Sequence, residues 1–399
     1  MTHATLGGIK HYMRRSLGLG AWLDSPGDGR VAMEITARDL IWALLASTLL
    51  RIGSALGAAR TLTNASQRST GLVHTFGDDT LHYFTERLSV DALRRTLYGL
   101  ARRIKRMKVF ENTAHIGLAI DGTGVGKLTK CCCPWCLPVR NSAGTVLGYT
   151  HKLTALSIAG VGLPLLLDME PYGPADSEYG AAQRLLRRAN DLLGRGFADY
   201  LVVDGGFATA PFLHAATALH MPIIARLKGN LPSLLQQAEQ RFHLDPPCDR
   251  YKEGEDTFEL WDERFPPWDA LDWTSVRVLR YRQTKPDGTV IEAMWLTNIA
   301  KRTMGSRNLV RAAKARWEIE NEGFNVTKNQ YHFAVNRHHQ GNSMMVQWLL
   351  TFLAINIERL YHIRYLHRGT HPIMESITLW NALWASLEPR HWYWGRAPG

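Results

Sequence analysis

Three carboxylates in this 399-residue chain stand where chemistry is done. Asp121 lies in Leu118-Ala119-Ile120-Asp121-Gly122-Thr123-Gly124, and Asp204 in Val202-Val203-Asp204-Gly205-Gly206-Phe207. Each ends an apolar, strand-like run and is followed by glycine, which lets a large ligand approach the backbone. Glu320 lies in Ala315-Arg316-Trp317-Glu318-Ile319-Glu320-Asn321-Glu322-Gly323-Phe324-Asn325-Val326-Thr327-Lys328. That stretch reads as helix, with Arg316, Glu320, Phe324 and Lys328 recurring every fourth residue. Steps of four advance about 400°, so the four side chains share one broad stripe. Taken singly, either aspartate could cap a turn or a helix. Taken together, the three suit a hard divalent cation such as Mg²⁺, which takes oxygen ligands and keeps waters for substrate phosphates. Two such ions about 4 Å apart serve both the attacking and the leaving oxygen of a phosphoryl transfer. Without a metal, grouped carboxylates only repel one another and raise one another's pKa. Glu318 and Glu322 are rivals to Glu320, and Asp168 and Glu170, also at a strand end, are outside candidates.

The elements that must position these residues follow a change of pattern near residue 110. Residues 1–110 read as mostly helical: an apolar-periodic run after Asp39, a helix capped by Asp79, and a third segment from Val90 to Val109. That third segment carries Arg94, Arg95, Arg102, Arg103, Lys105, Arg106 and Lys108. So many cations with so few acids suit either phosphate contact or a solvated helix face. Strands are expected at His115–Asp121, Tyr149–Ala159 and Leu163–Met169, the last two joined by a turn at Gly160-Val161-Gly162. Helix 177–193, strand 200–204, helix 211–220 and strand 222–227 follow. Strand, strand, strand, helix, strand, helix, strand predicts an α/β fold with a mixed sheet and helices on its faces. Residues 231–305 interrupt this scheme: they contain alternating runs such as Ser275–Tyr281 and a hairpin at Lys285-Pro286-Asp287-Gly288, so a β-rich insertion precedes the Arg316 helix. A very apolar helix, 343–360, reads as core. Trp380, Trp384, Trp392, Tyr393 and Trp394 mark the tail, 366–399.

Composition sets the outer bounds. Lys and Arg total 47 against 36 Asp and Glu, a net charge of +11, which favours polyanionic partners. No window reaches the length of a membrane span, and the N-terminus lacks the basic-then-apolar pattern of an export signal. No membrane association is expected. Four of the five cysteines crowd into Cys131-Cys132-Cys133-Pro134-Trp135-Cys136, which argues for a reducing cytoplasm rather than a disulfide framework. Cys133 and Cys136 have the spacing of a structural Zn²⁺ pair, which Cys131, His151 or Cys248 could complete; a metal-free cysteine loop is the other reading. His338-His339 looks like a ligand pair, yet adjacent histidines rarely face one site, so phosphate contact or plain surface is expected of them.

The order Ile-Asp-Gly-Thr-Gly, Val-Val-Asp-Gly-Gly-Phe, Ala-Arg-Leu-Lys and Arg-Trp-Glu-Ile-Glu-Asn-Glu-Gly-Phe-Asn-Val-Thr-Lys resembles the DDE transposases of bacterial insertion sequences. The resemblance covers roughly residues 30 to 360, and its last block is the most specific. It implies an RNase H-like sheet with the first Asp on strand one, the second on strand four, and the Glu on a helix after strand five. Residues 111–230 and 306–365 would then form the catalytic core around the insertion. Asp121, Asp204 and Glu320 would be catalytic and hold Mg²⁺, with Mn²⁺ as a possible substitute. Arg316 and Lys328 would contact transposon-end DNA, Arg226 and Lys228 would meet phosphates, and the 1–110 region with Arg102, Arg103, Lys105 and Arg106 would add end binding. The implied partners are double-stranded DNA, at the element's ends and at the target, and a second copy of the chain in the DNA complex; the implied location is the nucleoid. Two departures are visible. Many relatives carry Tyr three residues before the Arg, where this chain has Ala313, and seven residues rather than the usual six separate Glu320 from Lys328. A nuclease or resolvase of the same fold without strand transfer, and a catalytically silent DNA-binding descendant, are the competing readings.

Overall fold

The computed structural model describes residues 4–31, 33–229, 231–266, 273, 275–335, 338–366 and 376–390. The N-terminal region is helical as expected. Helix α1 (Leu6–Arg15) starts where the Thr5 hydroxyl accepts from the Gly8 amide, and α2 (Ala37–Leu49) where Thr36 accepts from Asp39. Helix α3 (Asp78–Arg87) has Gly77, not Asp79, at its cap; Asp79 falls inside the first turn, where an acid favours the helix dipole instead. Helix α4 (Val90–Arg106), capped by Ser89, turns Leu93, Leu97, Leu100 and Ile104 inward on one stripe.

The sheet then builds from β1 (Gly117–Leu128), β2 (Leu137–Arg140), β3 (Val146–Ala159) and β4 (Leu165–Tyr172). Helix α5 (Glu178–Leu193) leads to β5 (Tyr200–Val203), and α6 (Ala210–Ala218) to β6 (Ile223–Arg226). β3 runs antiparallel to β1, and its other edge is shared by β2 and β4. β5 pairs parallel to β1, and β6 parallel to β5. The spatial order β4-β3-β1-β5-β6, with only β3 reversed between its neighbours, is the RNase H-like arrangement that the strand order anticipated. After α7 (Pro232–Leu244), strands β7 (Asp249–Glu253), β8 (Asp256–Phe265), β9 (Val276–Thr284) and β10 (Val290–Thr297) form successive antiparallel pairs. They do not stand apart from the core sheet. Trp295 of β10 pairs with Arg226 of β6, so the inserted strands prolong the same sheet and cover its edge. A buried ion pair, Arg277 to Asp262 at 2.7 Å, fastens β9 to β8.

Helix α8 (Ser306–Lys314) follows, then α9 (Arg316–Glu318), a π-helical segment (Ile319–Asn325) and α10 (Val326–Gln330). Helix α11 (Gly341–Tyr361) is buried along most of its length and packs against α2, α3, α4 and β4. Its all-round apolarity is what a central core helix requires. In α12 (Ser376–Ala385), the Trp380 and Trp384 indoles donate to the Leu50 carbonyl, tying the tail to the body. Trp392, Tyr393 and Trp394 lie outside the described residues. Among the described residues no helix is long and apolar enough to cross a membrane.

Candidate active site

Strand register brings the two aspartates side by side. β1 and β5 run parallel with Ile120 opposite Val203, so the next residues, Asp121 and Asp204, emerge together where their pairing stops. Adjacent strands lie about 4.8 Å apart, which sets the scale of the carboxylate separation. Asp121 does not end β1, as the apolar run had suggested. β1 continues to Leu128 against β3, and only its pairing with β5 ends at Ile120.

The remaining groups close around this pair. Arg316 binds Asp121 (Nη1 to Oδ2, 2.5 Å) and reaches Glu320 (Nη2 to Oε2, 3.5 Å). The Gly122 amide donates to the other Asp121 oxygen at 2.9 Å. Lys228 donates to both Asp204 oxygens, at 3.1 and 3.2 Å. A fourth carboxylate, Glu178 at the start of α5, leans over the backbone beside Asp121. A Cβ built on Gly122 would lie 1.7 Å from Glu178 Oε1, so any larger residue after Asp121 would push the Glu178 carboxyl aside. Burial, and then the charges of Asp121 and Asp204, push the Glu178 carboxyl above its usual range. Burial, with Asp204 and Glu320 beside it, also raises Asp121 against the pull of Arg316. Asp204 is partly buried too, but the Lys228 ammonium holds its carboxyl below the ordinary value. Nothing in the sequence marked Glu178. It follows the Ser177 cap, where a first-turn acid is ordinary helix chemistry.

The Glu320 segment is not the straight α-helix that the four-residue stripe implied. Residues Ile319–Asn325 wind as π-helix, closing each turn over five residues rather than four. The extra residue per turn absorbs the seventh residue between Glu320 and Lys328. Lys328 therefore still returns to the site, donating to the Thr123 hydroxyl two residues beyond Asp121 on β1. Phe324 is buried in the core, with the Lys328 ammonium over its ring 5.9 Å from the centroid. The rival Glu318 turns elsewhere, accepting from the Gly160 amide at 3.0 Å, and the Glu322 charge acts on Glu318. Glu320, over half exposed, is the carboxylate of this helix that shares Arg316 with Asp121.

A family model described as the transposase DDE domain matches residues 114–357. The chain belongs to the DDE transposase family. Among curated proteins none matches its sequence. A solved structure, the cryo-EM structure of the piggyBac transposase synaptic complex with hairpin DNA, is similar at 12% identity and a TM-score of 0.44, covering 95% of this chain and 78% of that one. DDE transposases are DNA-cleaving enzymes that work with divalent metal, and the donor set here fits one. Asp121, Asp204 and Glu320 share two ion-paired cations and Glu178 lies beside them, a group of hard oxygen ligands whose mutual repulsion a divalent ion would relieve.

The other sequence candidates divide. Arg226 stacks on Trp295 (5.1 Å) and donates to the Glu292 carbonyl at 3.1 Å. Along α4, Arg102 and Arg106 are exposed, whereas Arg103 donates to the Ser16 carbonyl and Lys105 to those of Gly196 and Phe197. Asp168 and Glu170 lie within β4 rather than at its end, and they are locked by Arg94, Arg184 and Arg188 into a structural network. Arg94 thereby leaves the set of phosphate-facing cations. Cys133 and Cys136 do meet His151, and His339 joins them, while Cys248 lies apart on the lead into β7. Neither adjacent histidine is plain surface. His338 bonds Glu86 at 2.8 Å and stacks on His82, while His339 turns to the cysteines.

Proposed function

We propose that this transposase cuts double-stranded DNA at the ends of its own element and joins the freed ends to target DNA, acting as a homodimer that pairs two ends. Asp121, Asp204 and Glu320, with Glu178 at their side, would hold Mg²⁺, or Mn²⁺ in its place. The observation that carries this reading is the register of Ile120 with Val203, which sets Asp121 and Asp204 together beneath the Glu320 helix. When bound, the metal supplies Lewis-acid stabilisation of the charge that develops on the phosphoryl oxygens and lowers the pKa of the attacking hydroxyl or water.

The chain's own residues prepare for that ion and for DNA. Arg316 and Lys228 neutralise the carboxylates until a metal or a phosphate competes for them; both can then turn towards the DNA backbone. Lys328, anchored by Thr123, offers a further cation beside the site. Exposed Arg102 and Arg106 on α4, within a chain of net charge +11, extend the favourable field for phosphate contact. A location at the nucleoid follows from such a substrate.

Joining separates the proposal from a nuclease or resolvase of the same fold. A labelled duplex carrying the element's terminal sequence, incubated with protein, Mg²⁺ and a second unlabelled plasmid, should yield label covalently attached to the plasmid. Cleavage without joining would favour the nuclease reading, and DNA binding without nicking the silent one.

A further inference from the structure

Cys133 and Cys136 sit on the loop between β1 and β2, His151 in β3, and His339 just before α11. Far apart in sequence, their four ligand atoms all fall within 4.8 Å of one another. Cys133 Sγ is 3.6 Å from Cys136 Sγ and 3.2 Å from His151 Nε2; Cys136 Sγ is 3.5 Å from His151 Nε2 and 3.8 Å from His339 Nε2. Zinc–sulfur bonds of about 2.3 Å and zinc–nitrogen bonds of about 2.0 Å place tetrahedral ligand atoms roughly 3.3–3.8 Å apart. These four distances thus match edges of a zinc tetrahedron. Four mutual hydrogen bonds would be a poor alternative, because thiols are weak donors and weak acceptors.

We propose that Cys133, Cys136, His151 and His339 form a closed, structural Cys2His2 zinc site. Three further observations fit it. The Cys132 amide points at Cys136 Sγ from 3.4 Å, as an amide does towards a metal-bound thiolate. Cys136 and His151 are 2% and 1% exposed and Cys133 and His339 are half-buried, and four protein ligands fill a tetrahedron, as in structural rather than catalytic zinc sites. Trp135, Trp348 and Phe333 wall the cluster with aromatic surface, the apolar shell that shields a metal from solvent.

The site ties three segments together. His339 belongs to the connection that leaves the Glu320 helix at Gln330 and enters α11 at Gly341. Binding it to β3 and to the loop after β1 fixes the exit of the helix that carries Glu320 and Lys328. The zinc is therefore a clasp that holds the last third of the active site against the strand bearing Asp121. It is a different ion from the one at the carboxylates, with soft ligands in place of hard ones.

The test is metal analysis of the purified full-length protein grown with zinc, followed by replacement of the zinc with Co²⁺. One zinc per chain is expected, and the Co²⁺ form should show the intense visible bands of tetrahedral cobalt and a thiolate-to-cobalt charge-transfer band. His338→Ala, Cys131→Ser and Cys248→Ser should keep the metal. His339→Ala and Cys136→Ser should lower zinc affinity by about 100-fold or more. Wild-type protein with far less than one zinc per chain, an octahedral cobalt spectrum, or a Cys133–Cys136 disulfide in the non-reduced peptide map would each overturn the proposal. These readings on the wild type decide the matter even where a ligand variant does not fold.

Discussion

Two groups of carboxylates sit on one sheet and are treated in opposite ways. On β4, Asp168 and Glu170 are met by Arg94, Arg184 and Arg188, with a further bond from the Tyr98 hydroxyl to Asp168. Three arginines meet the two carboxylates there, with Arg184 also holding Asp176, and Asp168 is fully buried. At the ends of the β1–β5 pairing, Asp121, Asp204 and Glu320 share Arg316 and Lys228, Glu178 stands beside them in the field of Lys152, and the group remains partly open to solvent. Burial and mutual repulsion lift Asp121 and Glu178 above their ordinary range. The first cluster is complete as it stands and serves to bolt α4 and α5 onto β4. The second is unbalanced, and unbalanced charge is what a metal site looks like before its metal. Charge balance, not the mere presence of acids at strand positions, separates the functional group from the structural one.

The comparison can be broken most forcefully at the aspartates. Asp121→Asn and Asp204→Asn should each lower DNA cleavage by at least about 1,000-fold, roughly 4 kcal/mol of transition-state stabilisation. Asp121→Asn should leave the melting temperature unchanged or raise it, since a carboxylate lifted above its ordinary range is removed, whereas Asp204→Asn gives up the charge that Lys228 stabilises and should lower it slightly. Asp168→Asn should do the reverse of Asp121→Asn. It leaves Arg94 and Arg188 without their buried partner and should cost about 3 kcal/mol of stability in a denaturant titration. Cleavage per folded molecule should hardly change. Glu178→Gln sharpens the boundary of the site, with an expected loss in single-turnover cleavage of about 2 kcal/mol, or some 30-fold. A wild-type rate would return Glu178 to a helix-capping role. The smallest effect belongs to Lys328→Ala, about tenfold in cleavage at limiting DNA, or about 1.4 kcal/mol, with little change in melting.

Much of this arrangement was legible in the residues. Apolar runs ending in Asp-Gly located Asp121 and Asp204, and the order of strands and helices anticipated the sheet that brings them together. Alternating runs within 231–305 located the inserted hairpin, though neither the helix Pro232–Leu244 that opens the insertion nor its continuation of the core sheet, because edge pairing such as Trp295 with Arg226 leaves no local signature. Three features of the sites were hidden for physical reasons. Glu178 has the type and place of an ordinary first-turn acid, and only the close approach over Gly122 reveals it. The π-helical turn is invisible to a stripe counted in fours, although the extra residue before Lys328 was its trace. His339 was set aside because it adjoins His338, yet in a non-helical segment neighbouring side chains diverge and each found its own partners. Asp168 and Glu170 passed as candidates because their arginines come from helices 14 to 76 residues away.

The central claim is that the unbalanced carboxylate group, and not its balanced neighbour, holds the divalent ion. Anomalous diffraction from crystals soaked in Mn²⁺ tests it most directly. The account predicts density bonded to oxygens of Asp121 and Asp204, within reach of Glu320, and none at Asp168 or Glu170. Strong density at the Asp168 network, or none between Asp121 and Asp204 at saturating Mn²⁺ with DNA bound, would contradict it.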